Sequence, residues 1–223
     1  GGEVSLNLAA NRRLSDGHRD NSESAVRGAS VAGQWAADGL RLVLRHGEDR
    51  LQGGLPGPLS LAQYNSDPSQ TANPNDWAAI INRRSSVQLD WRSTNWDIGF
   101  DAGQRSKQLR SLSTYFGSAS RYDYDIDADQ VAARARFNST LAGLRNSVAG
   151  GFDFSRWERE VAGTYGSSAR QRNNAVYLKD DLTLTGGTRL SAGMRHEALH
   201  KTHSAVAQAM DDTMHAWELG VVQ

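Results

Sequence analysis

The sequence predicts an all-β fold, an antiparallel up-and-down transmembrane β-barrel of which this chain supplies about ten strands of a larger set. Three observations carry that prediction. Stretches in which apolar and polar residues alternate recur along the whole chain. The connections between them alternate between long and short. No stretch approaches the ~18 consecutive apolar residues of a membrane-spanning helix, and no long segment has the i, i+3, i+4, i+7 stripe of a core-facing helix.

The elements follow in order. Residues 3–11 put Val4, Leu6, Leu8 and Ala10 on one face. Residues 27–37 do the same with Ala29, Val31, Gly33 and Trp35. Asp38-Gly39 is a tight hairpin signal. Leu40, Leu42 and Leu44 then alternate against Arg41, Val43 and Arg45. A fourth strand ends in Val87, Leu89 and Trp91, and 92–95 turns the chain. The fifth sets Trp96, Ile98, Phe100 and Ala102 against Asp97, Gly99, Asp101 and Gly103. The sixth, 129–138, sets Val131, Ala133, Ala135 and Phe137 against Arg134 and Arg136. The seventh carries Val148, Gly150, Phe152 and Phe154; the eighth covers 175–185. The ninth sets Leu190, Ala192 and Met194 against Arg195 and Glu197, and the tenth starts near Met214.

Long connections are expected at 12–25, 47–79, 104–128, 158–174 and 199–212. Short ones are expected at 38–39, 92–95, 139–143 and 186–187. A bacterial outer-membrane barrel has this asymmetry, with short periplasmic turns and long outer loops. The apolar face then meets lipid, and Asp97, Asp101, Arg134, Arg136 and Arg195 face a wet lumen. The alternation alone leaves a soluble sandwich open, with that polar face in solvent. Trp91, Trp96 and Phe137 flank short turns, where aromatic rings suit a membrane–water boundary.

Composition sets limits. Lys+Arg and Asp+Glu are 25 each, so the formal net charge is zero and gives no reason to expect nucleic acid. Cysteine is absent, which removes disulfides, thiol nucleophiles and cysteine metal sites. No G-x-S-x-G element occurs, and the glycine pairs are turn glycines; neither an enzyme nor a cofactor is expected. Asp123, Asp125, Asp127 and Asp129 fail the EF-hand pattern, with Ala128 where its glycine belongs, and read as a solvated strand extension. His196, His200 and His203 cluster without a recognised ligand spacing and read as a polar loop.

The candidate binding residues are aromatics of the long connections, which offer large contact area at little entropy cost. They are Tyr64 and Trp77 in one, Tyr115, Phe116, Tyr122 and Tyr124 in the next, and Tyr165 in a third. Arg110 and Arg121 lie beside the middle group and suit an anionic chelate. Loop packing is the competing role for all of them.

Several segments resemble the barrel of TonB-dependent receptors. Residues 174–184, with Tyr177 and Asp180, followed by Leu190, Gly193 and Arg195, resemble the family's Y-x-x-D and L-x-x-G-x-R-Y hairpin, with His196 where tyrosine is usual. Gly150-Gly151-Phe152-Asp153-Phe154 resembles its G-x-D-Y/F strand, and Gly54-Leu55-Pro56-Gly57 with Asp67-Pro68 resembles an outer loop of some members. The resemblance implies a barrel around an N-terminal plug, in the bacterial outer membrane, importing a ferric siderophore, haem, cobalamin or similar nutrient. It implies three partners: outer-membrane lipid, a small metal chelate, and the TonB complex through a region outside this chain. On this reading residues 1–223 are part of a single barrel domain, with the plug and the C-terminal strands absent. A passive porin or autotransporter barrel and a soluble all-β binding module are the alternatives.

Overall fold

The computed structural model describes residues 2–163 and 166–223. Ten long strands pair in sequence order into one antiparallel sheet: β1 (Glu3–Ser15), β2 (Ser24–Ala37), β3 (Leu40–Gly54), β4 (Trp77–Arg92), β5 (Trp96–Tyr115), β7 (Asp123–Leu141), β8 (Leu144–Ala162), β9 (Ser167–Thr183), β10 (Arg189–His203) and β11 (Val206–Val222). A short β6 (Ser118–Arg121) folds back on the end of β5. The one helix among the described residues, α1 (Leu61–Ser66), lies between β3 and β4; Ser60 and Gln63 cap its N-terminus reciprocally.

The register sorts the side chains into two faces. One row across the sheet runs Leu40, Trp91, Ile98, Ala135, Gly150, Leu178, Met194, Trp217. The next runs Trp35, Leu42, Leu89, Phe100, Ala133, Phe152, Val176. A third runs Leu44, Val87, Ala102, Val131, Phe154. These rows form a continuous apolar belt. Its side chains stay open to the surroundings: Phe100 is 37% exposed, Phe152 40% and Leu178 51%. Only Val43, Ala169 and Ala175 are buried apolar residues among those described. A soluble sandwich would hide such a belt under a second sheet; the described residues form one sheet, and the belt suits a lipid-facing surface.

The opposite face is polar and paired. Arg134 donates to Asp101 at 2.7 Å and to Asp90 at 2.9 Å. Arg195 donates to Asp153 at 2.7 Å and to Glu197 at 3.3 Å. Small residues make room for these groups. A Cβ at Gly99 would lie 2.6 Å from the Arg134 Nε, and one at Gly151 2.5 Å from the Tyr177 hydroxyl.

The short end matches the expected turns closely. Asp38-Gly39 and Ala142-Gly143 both have positive φ at each residue, as a type I′ hairpin requires. The remaining turns occupy 93–95 and 184–188. The other end corrects the sequence reading. Connections expected at 12–25, 47–79, 158–174 and 199–212 shrink to 16–23, 55–76, 163–166 and 204–205. That expected at 104–128 is a hairpin of β5, β6 and the start of β7, with its turn at Phe116-Gly117. Above the belt most strands are polar on both faces, and β4 opens apolar on both, at 77–81, so the hydrophobic alternation vanishes while the backbone ladder continues. The asymmetry between the two ends is therefore carried by strand extensions as much as by loops.

Candidate functional site

Most candidate residues fall on one structure, the β5–β6–β7 hairpin. Its tip is Phe116-Gly117, with φ of +49° and +78°. Tyr115 beside it is 71% exposed and Phe116 fully exposed. The hairpin bends where Tyr122 interrupts the ladder: the Tyr122 amide donates to the Ser111 carbonyl at 3.1 Å, and the Ser111 hydroxyl donates to the Tyr122 carbonyl at 2.8 Å. Tyr122 meets Tyr124 edge-on at 5.8 Å between ring centres. Tyr124 points to the polar face, where the Lys107 ammonium stands 5.6 Å from its ring centre. Arg121 is exposed and lies 3.6 Å from Asp123.

Arg110 and Trp77 have other settings. Both lie on the face that carries the belt, well above it. Arg110 makes a bidentate pair with Asp125, at 2.7 and 2.9 Å. Trp77 opens β4 opposite Leu112. Tyr165 lies outside the described residues.

Tyr64 sits on α1, in the loop 55–76, and this loop is fixed to the hairpin. Asp76, 2% exposed, accepts from the Thr114 amide at 2.6 Å and the Thr114 hydroxyl at 2.7 Å. Asn73 donates to the Thr114 carbonyl at 3.1 Å. Asn21 donates to the carbonyls of Asn73 and Asp76, and Arg19 to that of Gln70. Asp67, which accepts from the Ser69 hydroxyl and amide, is held below the usual carboxylate range by those bonds. Three connections are thus joined into one platform. Sequence reading picked the aromatics and missed the latch, because Asp76, Asn73 and Asn21 read as ordinary loop polar residues. Proximity to Thr114 at 38 positions' distance leaves no local signal.

The aspartate ladder is a strand extension, as expected. Asp123, Asp125, Asp127 and Asp129 lie on one face of β7, and Arg156 pairs with Asp129 at 2.7 Å. The histidine cluster is a correction. His196, His200 and His203 belong to strand β10 and not to a loop. His196 packs on His215 with ring centres 4.7 Å apart, and His200 lies 2.6 Å from Asp211. His203 points to the opposite face from those two. Among the described residues no group of three or more His, Cys, Asp or Glu is arranged to hold a metal ion.

The family model described as "TonB dependent receptor-like, beta-barrel" matches residues 18–222. No curated protein matches. Among solved structures, the unliganded ferric citrate transporter FecA aligns with a TM-score of 0.70 at 13% identity, over 95% of this chain and 35% of that one. BauA, the ferric preacinetobactin receptor from Acinetobacter baumannii, gives 0.71 at 11% identity, over 98% and 40%. P. aeruginosa FpvA bound to heterologous pyoverdines gives 0.72 at 11%, over 98% and 36%. At these identities the likeness is one of fold, and the chain spans less than half the length of each structure.

Proposed function

Because the chain belongs to the TonB-dependent receptor β-barrel family of the bacterial outer membrane, we propose that it is part of the wall of a receptor that imports a scarce nutrient, such as a metal chelate, with energy from the TonB complex. Members of this family are transport receptors and not enzymes. The observation that carries the reading is the family match across a two-faced wall: an open apolar belt on one side, a charged and paired lining on the other.

The remaining parts of the machine belong to the same proposal. β1 and β11 each have a partner on one side only. Unpaired ladder groups are costly in hydrocarbon, so further strands complete the wall. A plug closes the lumen and carries the contact with TonB. Residues 1–223 supply the barrel domain alone.

Ligand capture is assigned to the platform. Tyr115, Phe116 and Tyr122 on the hairpin, with Tyr64 on the latched loop, offer rings to a planar or chelate ligand. Tyr124 and Arg121 lie next to them. Arg110 and Trp77 support the hairpin from its far face, and Tyr165 sits in the neighbouring connection of the sequence.

The test is accumulation of radioactive iron chelates by cells that carry the full-length receptor, with and without TonB. Energy-dependent accumulation is expected. Uptake that proceeds equally without TonB would instead identify a passive pore. For the capture role, the Tyr115→Ala, Phe116→Ala, Tyr122→Ala triple variant is expected to lose affinity at unchanged surface level. Unchanged affinity would leave these rings with loop packing alone.

A further inference from the structure

The belt side of the sheet carries an unusual charge pattern above β1, β2 and β3. Below it the surface is apolar and open. Val4, Leu6 and Leu8 are exposed on β1, with Trp35 opposite Val4 and Val31 opposite Leu8. A row of small side chains follows, Ala10 opposite Ala29. The next row sets Arg12 opposite Arg27, and Arg27 opposite Arg50. Three arginines thus stand side by side on one face of three neighbouring strands, and all three are exposed.

Like charges directly opposite one another repel, and little at hand offsets the repulsion. Glu48 is the one carboxylate on the belt face of β1, β2 and β3, and it is shared between Arg50 and Arg83, the latter at 2.6 Å. Among the described residues Arg12 and Arg27 pair with no carboxylate. The next acid along the row is Asp125, beyond Ile81 and Gln108. Three strand spacings of ~4.8 Å put it about 14 Å from Arg50, farther than the ~8 Å over which charges are screened at physiological salt. Asp125 is also engaged by Arg110, at 2.7 Å. Arg27 lies between Arg12 and Arg50, so strands added beyond β1 leave its two neighbours unchanged.

Height assigns these groups to a boundary. Arg27 and Arg50 each lie ten residues above the short-turn ends of β2 and β3. At ~3.3 Å per residue and a tilt of ~40°, that is about 25 Å, which is the height of the apolar band of a membrane barrel, ~25 Å. The arginines stand where acyl chains give way to headgroups. They do so at the end of the long connections, which in an outer-membrane barrel is the outer leaflet. They face away from the lumen, so a solute passing through the barrel does not meet them.

We propose that Arg12, Arg27 and Arg50, with the apolar surface beneath them, hold a phosphorylated glycolipid of the outer leaflet. Its phosphate lies across the guanidinium row, and its acyl chains run along Leu6, Leu8, Val31 and Trp35. Guanidinium forks match phosphate oxygens, and basic clusters at a membrane surface attract anionic lipid. One phosphate across the row relieves both cross-strand repulsions. The site is independent of the nutrient that the receptor imports.

The test uses the purified full-length receptor in a mild detergent, with bound lipid counted by mass spectrometry of the intact complex. Three probes are titrated: lipid A with both phosphates, the same lipid with its phosphates removed, and dioleoylphosphatidylglycerol. Lipid A with its phosphates is expected to bind at least about tenfold more tightly than either of the others. In the Arg12→Gln, Arg27→Gln double variant that affinity should fall at least about tenfold, and its dependence on salt should flatten. The Arg12→Lys, Arg27→Lys variant should retain most of it, and Arg136→Gln, on the polar face opposite Asp97, all of it. Equal affinity for the phosphate-free lipid, measured on the unaltered receptor, would overturn the assignment whether or not the double variant folds. Equal affinity in a folded double variant would overturn it too, and equal binding of phosphatidylglycerol would reduce the site to ordinary boundary lipid.

Discussion

The middle and the outer end of the same polar face are built on opposite principles. In the middle, Asp90, Asp101, Asp153 and Glu197 surround Arg134 and Arg195, and each guanidinium satisfies two carboxylates. At its outer end, Arg84 and Arg105 stand side by side in one row, and Asp49, in the row above with Asn82 and Lys107, is the only carboxylate in the two. The strands are continuous through both regions, with the same pleat and register. Backbone geometry therefore does not decide the difference; side-chain choice does. A wall selected only for stability would interleave charges throughout. The outer end gives up that arrangement: Arg105 stands beside Arg84 and finds only the neutral Asn82 oxygen.

Four substitutions break or sharpen this contrast, in falling order of effect. The largest tests whether the two faces differ at all. Leu89→Arg, in the belt, is expected to cost ~2–4 kcal/mol in reversible folding of the full-length barrel into lipid vesicles. A cost below the error of that assay would mean the belt does not meet hydrocarbon. Second, Asp76→Ala removes the buried acceptor beneath Thr114. A loss of about 1–3 kcal/mol in local stability is expected, seen as faster proteolytic cutting within 55–76 while the strands stay protected. Third, Arg134→Leu leaves Asp90 and Asp101 facing each other. Half-exposed pairs are weak, so about 1 kcal/mol of folding stability should go. Fourth, Arg84→Gln at the outer end removes both the repulsion with Arg105 and the 3.0 Å pair with Asp49, two small opposing effects, and should move stability by no more than about 0.5 kcal/mol. If Arg84→Gln cost more than Arg134→Leu, the contrast would be inverted.

Much of the wall was legible in the sequence, for a definite reason. Inside the belt, alternation couples directly to face: Ile98 and Phe100 against Asp97 and Asp101 can be read without coordinates, and the register bears them out. The turn Asp38-Gly39 was legible through residues that tolerate positive φ, whereas the turn expected at 139–143 narrows to Ala142-Gly143, where only the glycine signals that backbone. Above the belt that coupling is lost. Gln104, Ser106 and Gln108 on one side and Arg105 and Lys107 on the other are all polar, so the strand there reads as a loop. The same loss hid the basic outer end of the polar face, since Arg84, Arg105 and Arg159 come together only across paired strands. The latch at Asp76 was hidden for another reason: its partners, Thr114 and Asn21, lie on other connections. His200 and His203 were misread as loop residues because His200 and Lys201 interrupt the apolar pattern on which strand assignment depends.

The central claim is that alternate residues of each strand face lipid and lumen. Nitroxide labels placed singly at residues 97–103 of the full-length receptor in membranes test it directly, aided by the absence of cysteine from this chain. Collisions with oxygen, which concentrates in lipid, should peak at Ile98, Phe100 and Ala102. Collisions with a water-soluble nickel chelate should peak at Asp97, Gly99, Asp101 and Gly103. Equal accessibility at neighbouring positions, or the same period with the two reagents exchanged, would contradict the account.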